Sequence, residues 1–466
     1  MRVLLIQALS MEEANPLKVY PLGIVTLGTH LKRRGFDVQL LDLNIEPDAF
    51  GALIRELREF GPDAIGISLR NIDPLANKTS SLIPPFKATV RVIAKVAPDV
   101  PVIVGGTGYS LFPERILEEL PEINYGLAGE AEETLPELLE WLEASGLLGS
   151  RGSRGSCGSL DVPPALQGLY LQRNGQSQLS FLDADQKPVT THARAKNWGQ
   201  DYLWPDRTLL DLKRYLSETS YVPAVGIETQ RGCPYRCAYC VYPKLQGCQV
   251  RVRPPEDVVN EIEYLHKELG VNRVHFNDAA VNMVPGHLEG ICELLLSRGL
   301  NIMWGGFFRE DRLENIDLFA RAGCECFAFS PDALSEQGLK SLDKGLTVED
   351  IVKAATLAAA TDVLSIYHFM VNVPGESLES VAESRKLMEL LFDIHTAKRN
   401  LGTIILNNIR IFPDTPMETA ARANGVLDDN TDLLYPTYYN PPPYNNLRYE
   451  LEALQLEKNI TMWQEV

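Results

Sequence analysis

No cysteine precedes Cys157, although the chain of 466 residues has eight of them. A secreted disulfide framework spreads its cysteines along the chain, so that class is excluded. Long apolar runs are missing too. The N-terminus reads MRVLLIQALSMEEANP, whose apolar stretch is too short for a signal-peptide core. Nothing approaches the roughly 20 apolar residues of a membrane span. Basic charge is scarce: Lys and Arg total 44 against 62 Asp and Glu, a formal net charge of −18. That balance argues against nucleic acid or an anionic membrane as partner. The expectation is a soluble, cytoplasmic protein, in a compartment where thiols stay reduced.

What is present is an ordinary globular composition, 45% apolar and 23% charged. At roughly 100–200 residues per domain the length predicts two to four domains. Residues 1–145 alternate strand candidates (3–6, 38–41, 64–68, 100–104, 125–128) with helix candidates (22–34, 48–60, 87–96, 113–119, 131–144). Five β–α units predict a doubly wound, Rossmann-like α/β domain with its ligand beyond the carboxyl ends of the strands. Residues 146–221 read as a linker. It opens on GLLGSRGSRGSCGSL, which holds Cys157, and contains a hairpin (168–173 and 178–182) around Asn174-Gly175. Six further β–α units over 222–415 predict a parallel (β/α)6 partial barrel. Residues 416–466 form a C-terminal extension.

Three cysteines fall together in RGCPYRCAYCVYP as Cys233, Cys237 and Cys240, a C-x3-C-x2-C spacing on the loop after the first barrel strand. Three thiolates on one loop suit three irons of a [4Fe–4S] cluster and leave the fourth open to a small molecule. Zinc is the rival reading, but a structural zinc wants four ligands and no partner pair lies nearby. Cys248, Cys324 and Cys326 read as core or structural thiols.

This spacing, with Tyr239 before the last cysteine, resembles the radical S-adenosylmethionine (SAM) superfamily. The likeness implies SAM contacts at successive strand ends. Asp278, in Phe276-Asn277-Asp278, would meet the SAM amino group and Arg309 the carboxylate. Ser330 and Asp332 would hold the ribose. Pro374, Gly375 and Glu376 would lie near adenine and methionine, and Phe412 beside adenine. Plainer readings stand beside these: Asp278 as a helix N-cap, Arg309 in a surface ion pair, Ser330 and Asp332 as caps, Pro374-Gly375 as a turn. One family pattern is absent, since no Gly-Gly-Glu follows the second barrel strand.

The first domain resembles the cobalamin-binding accessory domain of that superfamily. Methylthiotransferases place three cysteines there, and this chain has none before Cys157. The likeness rests on Tyr20, Leu22 and Gly23 at the first helix, and on Ser68, Leu69, Arg70 and Asn71 after the third strand. It rests also on Gly105, Gly106 and Thr107 after the fourth strand, and on Gly129 and Glu130 after the fifth. A plain nucleotide-binding domain is the alternative, although no G-x-G-x-x-G follows the first strand. No Asp-x-His-x-x-Gly occurs, which implies a cobalt lower face without histidine. Arg70 would face it and take a catalytic part, or pair with a cobalamin amide, phosphate or carboxylate.

Together these likenesses imply a class B methyltransferase with a [4Fe–4S] cluster, SAM and cobalamin, an electron donor of flavodoxin or ferredoxin type, and a natural-product or lipid-like substrate. The family's scheme has one SAM methylating cobalamin and a second cleaved to a radical that activates the substrate. Ring contraction, cyclisation, cyclopropanation or polar methyl transfer to an sp2 carbon are alternatives, as is a non-catalytic cobalamin sensor.

Overall fold

The computed structural model describes residues 1–9, 18–74, 77–145, 166–173, 176–179, 192–195, 198–216 and 223–458. The glycine-rich run with Cys157, the Asn174-Gly175 turn and the last eight residues lie outside them.

The first unit runs β1 (Arg2–Gln7), α1 (Leu22–Arg33), β2 (Asp37–Asp42), α2 (Ala49–Glu59), β3 (Ala64–Ser68), α3 (Ile83–Val96), β4 (Val102–Gly105), α4 (Thr107–Leu111), α5 (Pro113–Glu119), β5 (Tyr125–Leu127), α6 (Thr134–Ala144), β6 (Leu169–Arg173) and β7 (Gln176–Leu179). The strands form one sheet in the order β2-β1-β3-β4-β5-β6-β7. The first five are parallel. Helices cover both faces, so β1 and β3 read as near-continuous apolar runs, VLLI and AIGI.

Two helix starts differ from the expected ones. α3 begins at Ile83, not 87, because Pro84 and Pro85 fit a first turn, where no backbone N–H is needed. α6 begins at Thr134 rather than 131. The hairpin is real but not isolated in a linker. β6 pairs antiparallel with β5 and β7 with β6, so it extends the first sheet.

The second unit runs β8 (Gly226–Ile227), β9 (Gln230–Arg231), α7 (Tyr242–Gln246), β10 (Arg251–Val252), α8 (Pro255–Leu269), β11 (Arg273–Phe276), α9 (His287–Ser297), β12 (Met303–Phe308), α10 (Ile316–Arg321), β13 (Cys324–Asp332), α11 (Glu336–Ser341), α12 (Val348–Ala359), β14 (Leu364–Met370), α13 (Leu378–His395), β15 (Leu401–Asn407), β16 (Ile409–Arg410), α14 (Pro416–Ala423), β17 (Tyr438–Tyr439) and α15 (Leu447–Glu457). Its main sheet is β15-β14-β13-β12-β11-β8, parallel throughout and in chain order, which is the six-stranded partial barrel. The last expected strand breaks at Asn408, and β16 pairs antiparallel with β17 of the tail instead.

The two units meet closely. Tyr20 N donates to the Ala224 carbonyl at 3.0 Å. Asn77 bridges Asn407 (3.0 Å) and the Asn408 N–H (2.6 Å), and Arg410 Nε pairs with buried Asp73 at 2.9 Å. The tail joins in, with Arg115 of α5 on Asp432 at 2.9 Å. Loops at the carboxyl ends of the two sheets therefore touch one another.

Candidate functional site

The cysteine loop leaves β9 and returns through α7 and β10. Gly232 turns it with φ +97°, and a Cβ there would stand 2.1 Å from the Gln249 carbonyl oxygen. Cys233 N donates to the Gly247 carbonyl (3.0 Å), Ala238 N to Leu342 (2.8 Å) and Cys240 N to Cys237 (3.0 Å). Cys233 packs with Ala280 and Met283 in a small apolar nest separate from the main core. Burial raises all three thiols, Cys240 to about 12, while Lys344 and Arg309 pull Cys233 and Cys237 the other way. Soft sulfur donors in a dry pocket with cations nearby fit an iron–sulfur cluster. Cys324 and Cys326 open β13, at the opposite end of the barrel from this loop.

The residues expected around SAM largely serve the loop itself. Asp278 is buried, and its carboxylate accepts from Thr229 N (2.9 Å), Gln230 N (3.1 Å) and the Thr229 hydroxyl (2.5 Å). Burial raises its carboxyl to about 6. It is neither a helix cap nor open to an amino group. It holds the backbone that leads into Cys233. Arg309 lies 3.7 Å over the Tyr235 ring, pairs with Asp311 at 2.9 Å, and donates to the carbonyls of Lys344 (3.1 Å) and Gly345 (2.9 Å). This buried clamp replaces both the surface pair and the free carboxylate binder.

Asp332 sits at φ +68° and accepts from Lys344 Nζ and the Tyr239 hydroxyl, tying β13 to the cysteine loop. It does not cap α11, whose cap is Ser335. Glu376 turns back onto Val373 N (3.2 Å) and the Ser380 hydroxyl. Gly375, at φ +84°, and Pro374 make the turn, and Phe412 lies half-buried beside the Arg410 guanidinium at 5.0 Å. Ser330 is half-buried and inward-facing.

The first domain shows the same division. Tyr20 is buried, donates to the Arg207 carbonyl (3.3 Å) and packs edge-on against Tyr215, with its phenol raised by burial. Leu22 and Leu69 are buried as well. Glu130 accepts from Ala195 N (2.8 Å) and pairs with Arg251, and Gly129 at φ +95° is demanded by Ala193, whose backbone would stand 2.6 Å from a Cβ. Tyr20, Leu22, Leu69, Gly129 and Glu130 thus each have a packing or hydrogen-bonding role within the described fold. Gly106, at φ +100°, lets the β3 and β4 ends touch: a Cβ would lie 2.6 Å from the Leu69 carbonyl oxygen. Gly105, by contrast, has only ordinary contacts there.

Gly23, Arg70, Asn71 and Thr107 stay exposed at the strand ends. The Thr107 hydroxyl donates to the Arg70 carbonyl at 2.6 Å, but the Arg70 guanidinium has no hydrogen bond or ion pair among the described residues. Water reaches it, yet protein surrounds it. The crowding lowers its pKa, with Tyr242 of α7 and Asp42 acting in the opposite direction. Such an open strand-end patch with a free cation fits a flat, polar-edged cofactor. Tyr242, in CVYP just after the third cysteine, is a site residue that sequence reasoning missed, as is Lys344.

A buried ionic bridge joins this domain to the cysteine loop. Arg231, two residues before Cys233, holds Glu228 with two bonds (2.8 and 2.7 Å) and Glu132 with a third (2.6 Å). Its guanidinium also lies 4.8 Å from the Trp198 ring centre.

Comparison with known proteins agrees with this architecture. Residues 15–139 match the B12 binding domain and residues 227–388 the radical SAM superfamily. The chain is 25% identical over 419 residues, 87% of its length, to an uncharacterized methyltransferase of Pyrococcus horikoshii, of which it spans 79%. It is 26% identical over 377 residues, 79% of its length, to the anaerobic magnesium-protoporphyrin IX monomethyl ester cyclase of Cereibacter sphaeroides, of which it spans only 56%. In fold it is similar to the radical S-adenosylmethionine methyltransferase TsrM from Kitasatospora setae, solved with cobalamin and a [4Fe–4S] cluster bound. That match has a TM-score of 0.71 at 24% identity and covers 92% of this chain and 81% of that one.

Proposed function

We propose that this chain, whose residues 15–139 match the B12 binding domain and residues 227–388 the radical SAM superfamily, moves a methyl group from SAM, by way of cobalamin, to a carbon of a small organic substrate. The observation that carries the reading is the meeting of the two sets of strand-end loops: Arg231, before the cysteine loop, reaches Glu132 after β5, and α7 beside Cys240 packs on α4 after β4. Bound there, the cluster would supply single electrons to the SAM sulfonium and the corrinoid would carry methyl.

The protein's own residues do the rest. Cys233, Cys237 and Cys240 hold the cluster. Asp278, Arg309 and the Tyr239–Asp332–Lys344 link fix the loop that bears it, and fixed geometry is where a two-cofactor enzyme gains most. Arg70, Asn71, Gly106 and Thr107 would receive the corrinoid, with the Arg70 guanidinium available to meet one of its acceptors. Ser330, Gly375 and Phe412 would border SAM. A one-electron donor of flavodoxin or ferredoxin type would serve the cluster. Among the described residues no helix is long and apolar enough to cross a membrane. Cyclase chemistry is the second reading, favoured by the cyclase relative.

Protein reconstituted with iron, sulfide and cobalamin, then given reductant and deuterated-methyl SAM, should release S-adenosylhomocysteine and leave label on the corrinoid. Cys240→Ser protein should lose its iron–sulfur absorbance and make no deoxyadenosine. Deoxyadenosine without any S-adenosylhomocysteine would turn the assignment to cyclase chemistry, and failure to take up corrinoid would overturn the role of the first domain.

A further inference from the structure

In a closed eight-stranded barrel the inward row of side chains is packed core. In this six-stranded one it is not. The outward residues Val274, Phe276, Phe308, Phe329 and Tyr367 are buried. The inward residues His275, Phe307, Ala328, His368 and Met370 are only half-buried. Contacts agree with these directions. Phe308 meets Phe319 of α10 at 5.9 Å, and the Tyr367 hydroxyl meets His395 of α13 at 2.8 Å. On the inner side the Phe307 ring lies edge-on between His275 (6.3 Å) and His368 (5.5 Å). Three rings from β11, β12 and β14 thus converge on an interior that solvent reaches.

The two imidazoles differ from most of their kind here. His192, His266, His287 and His395 are each hydrogen-bonded. His275 and His368 have no hydrogen bond or ion pair among the described residues. Burial pushes both rings down to about 4, so each is neutral at physiological pH. Two charge pairs stand nearby, Arg273 with Glu325 at 2.9 Å and Asp332 at the mouth with Lys344. Glu310, just past β12, is buried without an ion pair among the described residues, and burial raises its carboxyl to about 7. The inward row itself offers ring nitrogens and an aromatic face and carries no charged side chain among His275, Phe307, Ala328, His368 and Met370.

We infer that the barrel interior onto which His275, Phe307 and His368 open receives an uncharged, ring-bearing part of the substrate that hydrogen-bonds an imidazole, while any charged group of the substrate stays at the mouth. The inference rests on the reading above that the barrel mouth is the reacting centre. Its physical basis is desolvation. An ion drawn inside would lose water and meet no opposite charge on that row, whereas a neutral donor or acceptor would satisfy a waiting imidazole. Edge-on aromatic contact with Phe307 favours a ring there.

The test uses the full reconstituted chain with 15N-labelled histidine and three probes of one shape: benzamide, benzoate and benzylamine. Benzamide should shift the His275 and His368 ring resonances saturably, assigned by His275→Leu and His368→Leu, and Phe307→Ala should weaken that binding about tenfold. The two ions should leave both resonances in place. His368→Arg should reverse the preference, with benzoate binding at least about tenfold tighter than benzamide. Benzoate or benzylamine shifting the same resonances as readily as benzamide would overturn the inference. So would benzamide leaving them unmoved, or His368→Arg failing to gain benzoate in a protein with native circular dichroism. Corrinoid uptake and S-adenosylhomocysteine release, read on the same sample, report separately on the proposed function.

Discussion

The two parallel sheets end in different ways. The first closes its strand ends with glycines against backbone, Gly106 on Leu69 and Gly129 on Ala193. The second closes them with buried charge: Asp278 on Thr229 and Gln230, Arg309 over Tyr235, Lys344 on Asp332. The difference suits what each is proposed to hold. Backbone contacts leave a smooth, open rim for a large ligand, whereas ionic clamps fix one short loop in one geometry. Against those neutralised charges, the Arg70 guanidinium, without a partner among the described residues, stands apart.

The comparison breaks first at Arg231. Arg231→Leu leaves Glu132 and Glu228 buried without a cation and should cost about 3–5 kcal/mol in urea unfolding. A near-native midpoint would mean that charge does not hold the cysteine loop. Gly106→Ala forces a side chain onto the Leu69 carbonyl at positive φ and should cost about 1–3 kcal/mol by calorimetry. Gly23→Ala in the first turn of α1, with open space around it, should instead stabilise by about 0.5–1 kcal/mol.

Asp278 sharpens the contrast through pH. Its folded pKa is raised from 3.8 to about 6, so between those values the folded protein holds the proton that the unfolded chain has lost. Stability conferred by Asp278 is therefore full below that window, falls as pH rises through it and stays low above. Asp278→Asn should flatten the slope of the urea midpoint across it. The smallest effect on the fold belongs to Arg70→Ala, within about 0.5 kcal/mol of the parent because the guanidinium has no partner to lose. The same variant should retain less corrinoid after gel filtration, read by absorbance.

Much of this was legible in the chain itself. Helical periodicity placed α8 over Pro255–Leu269 and α5 over Pro113–Glu119 as the structure has them. The cysteine spacing marked its loop because all three ligands come from one local segment. The roles of Asp278, Arg309, Asp332, Glu130 and Tyr20 were not legible. An acid or an arginine after a strand looks the same whether it faces a ligand or ties down a neighbouring loop. The hairpin was visible too, but not that it would join β5, since its pattern says that it pairs and not with whom.

The amino-acid sequence alone determined the two α/β units and the cysteine triplet, because periodicity and short spacings are local properties. Only the tertiary structure decided which charges are consumed and which are free. Arg231 meets Glu132 across 99 residues and Arg410 meets Asp73 across 337, and whether such a pair forms depends on how two whole domains pack. The same packing left Arg70, His275 and His368 without hydrogen-bond or ion-pair partners among the described residues.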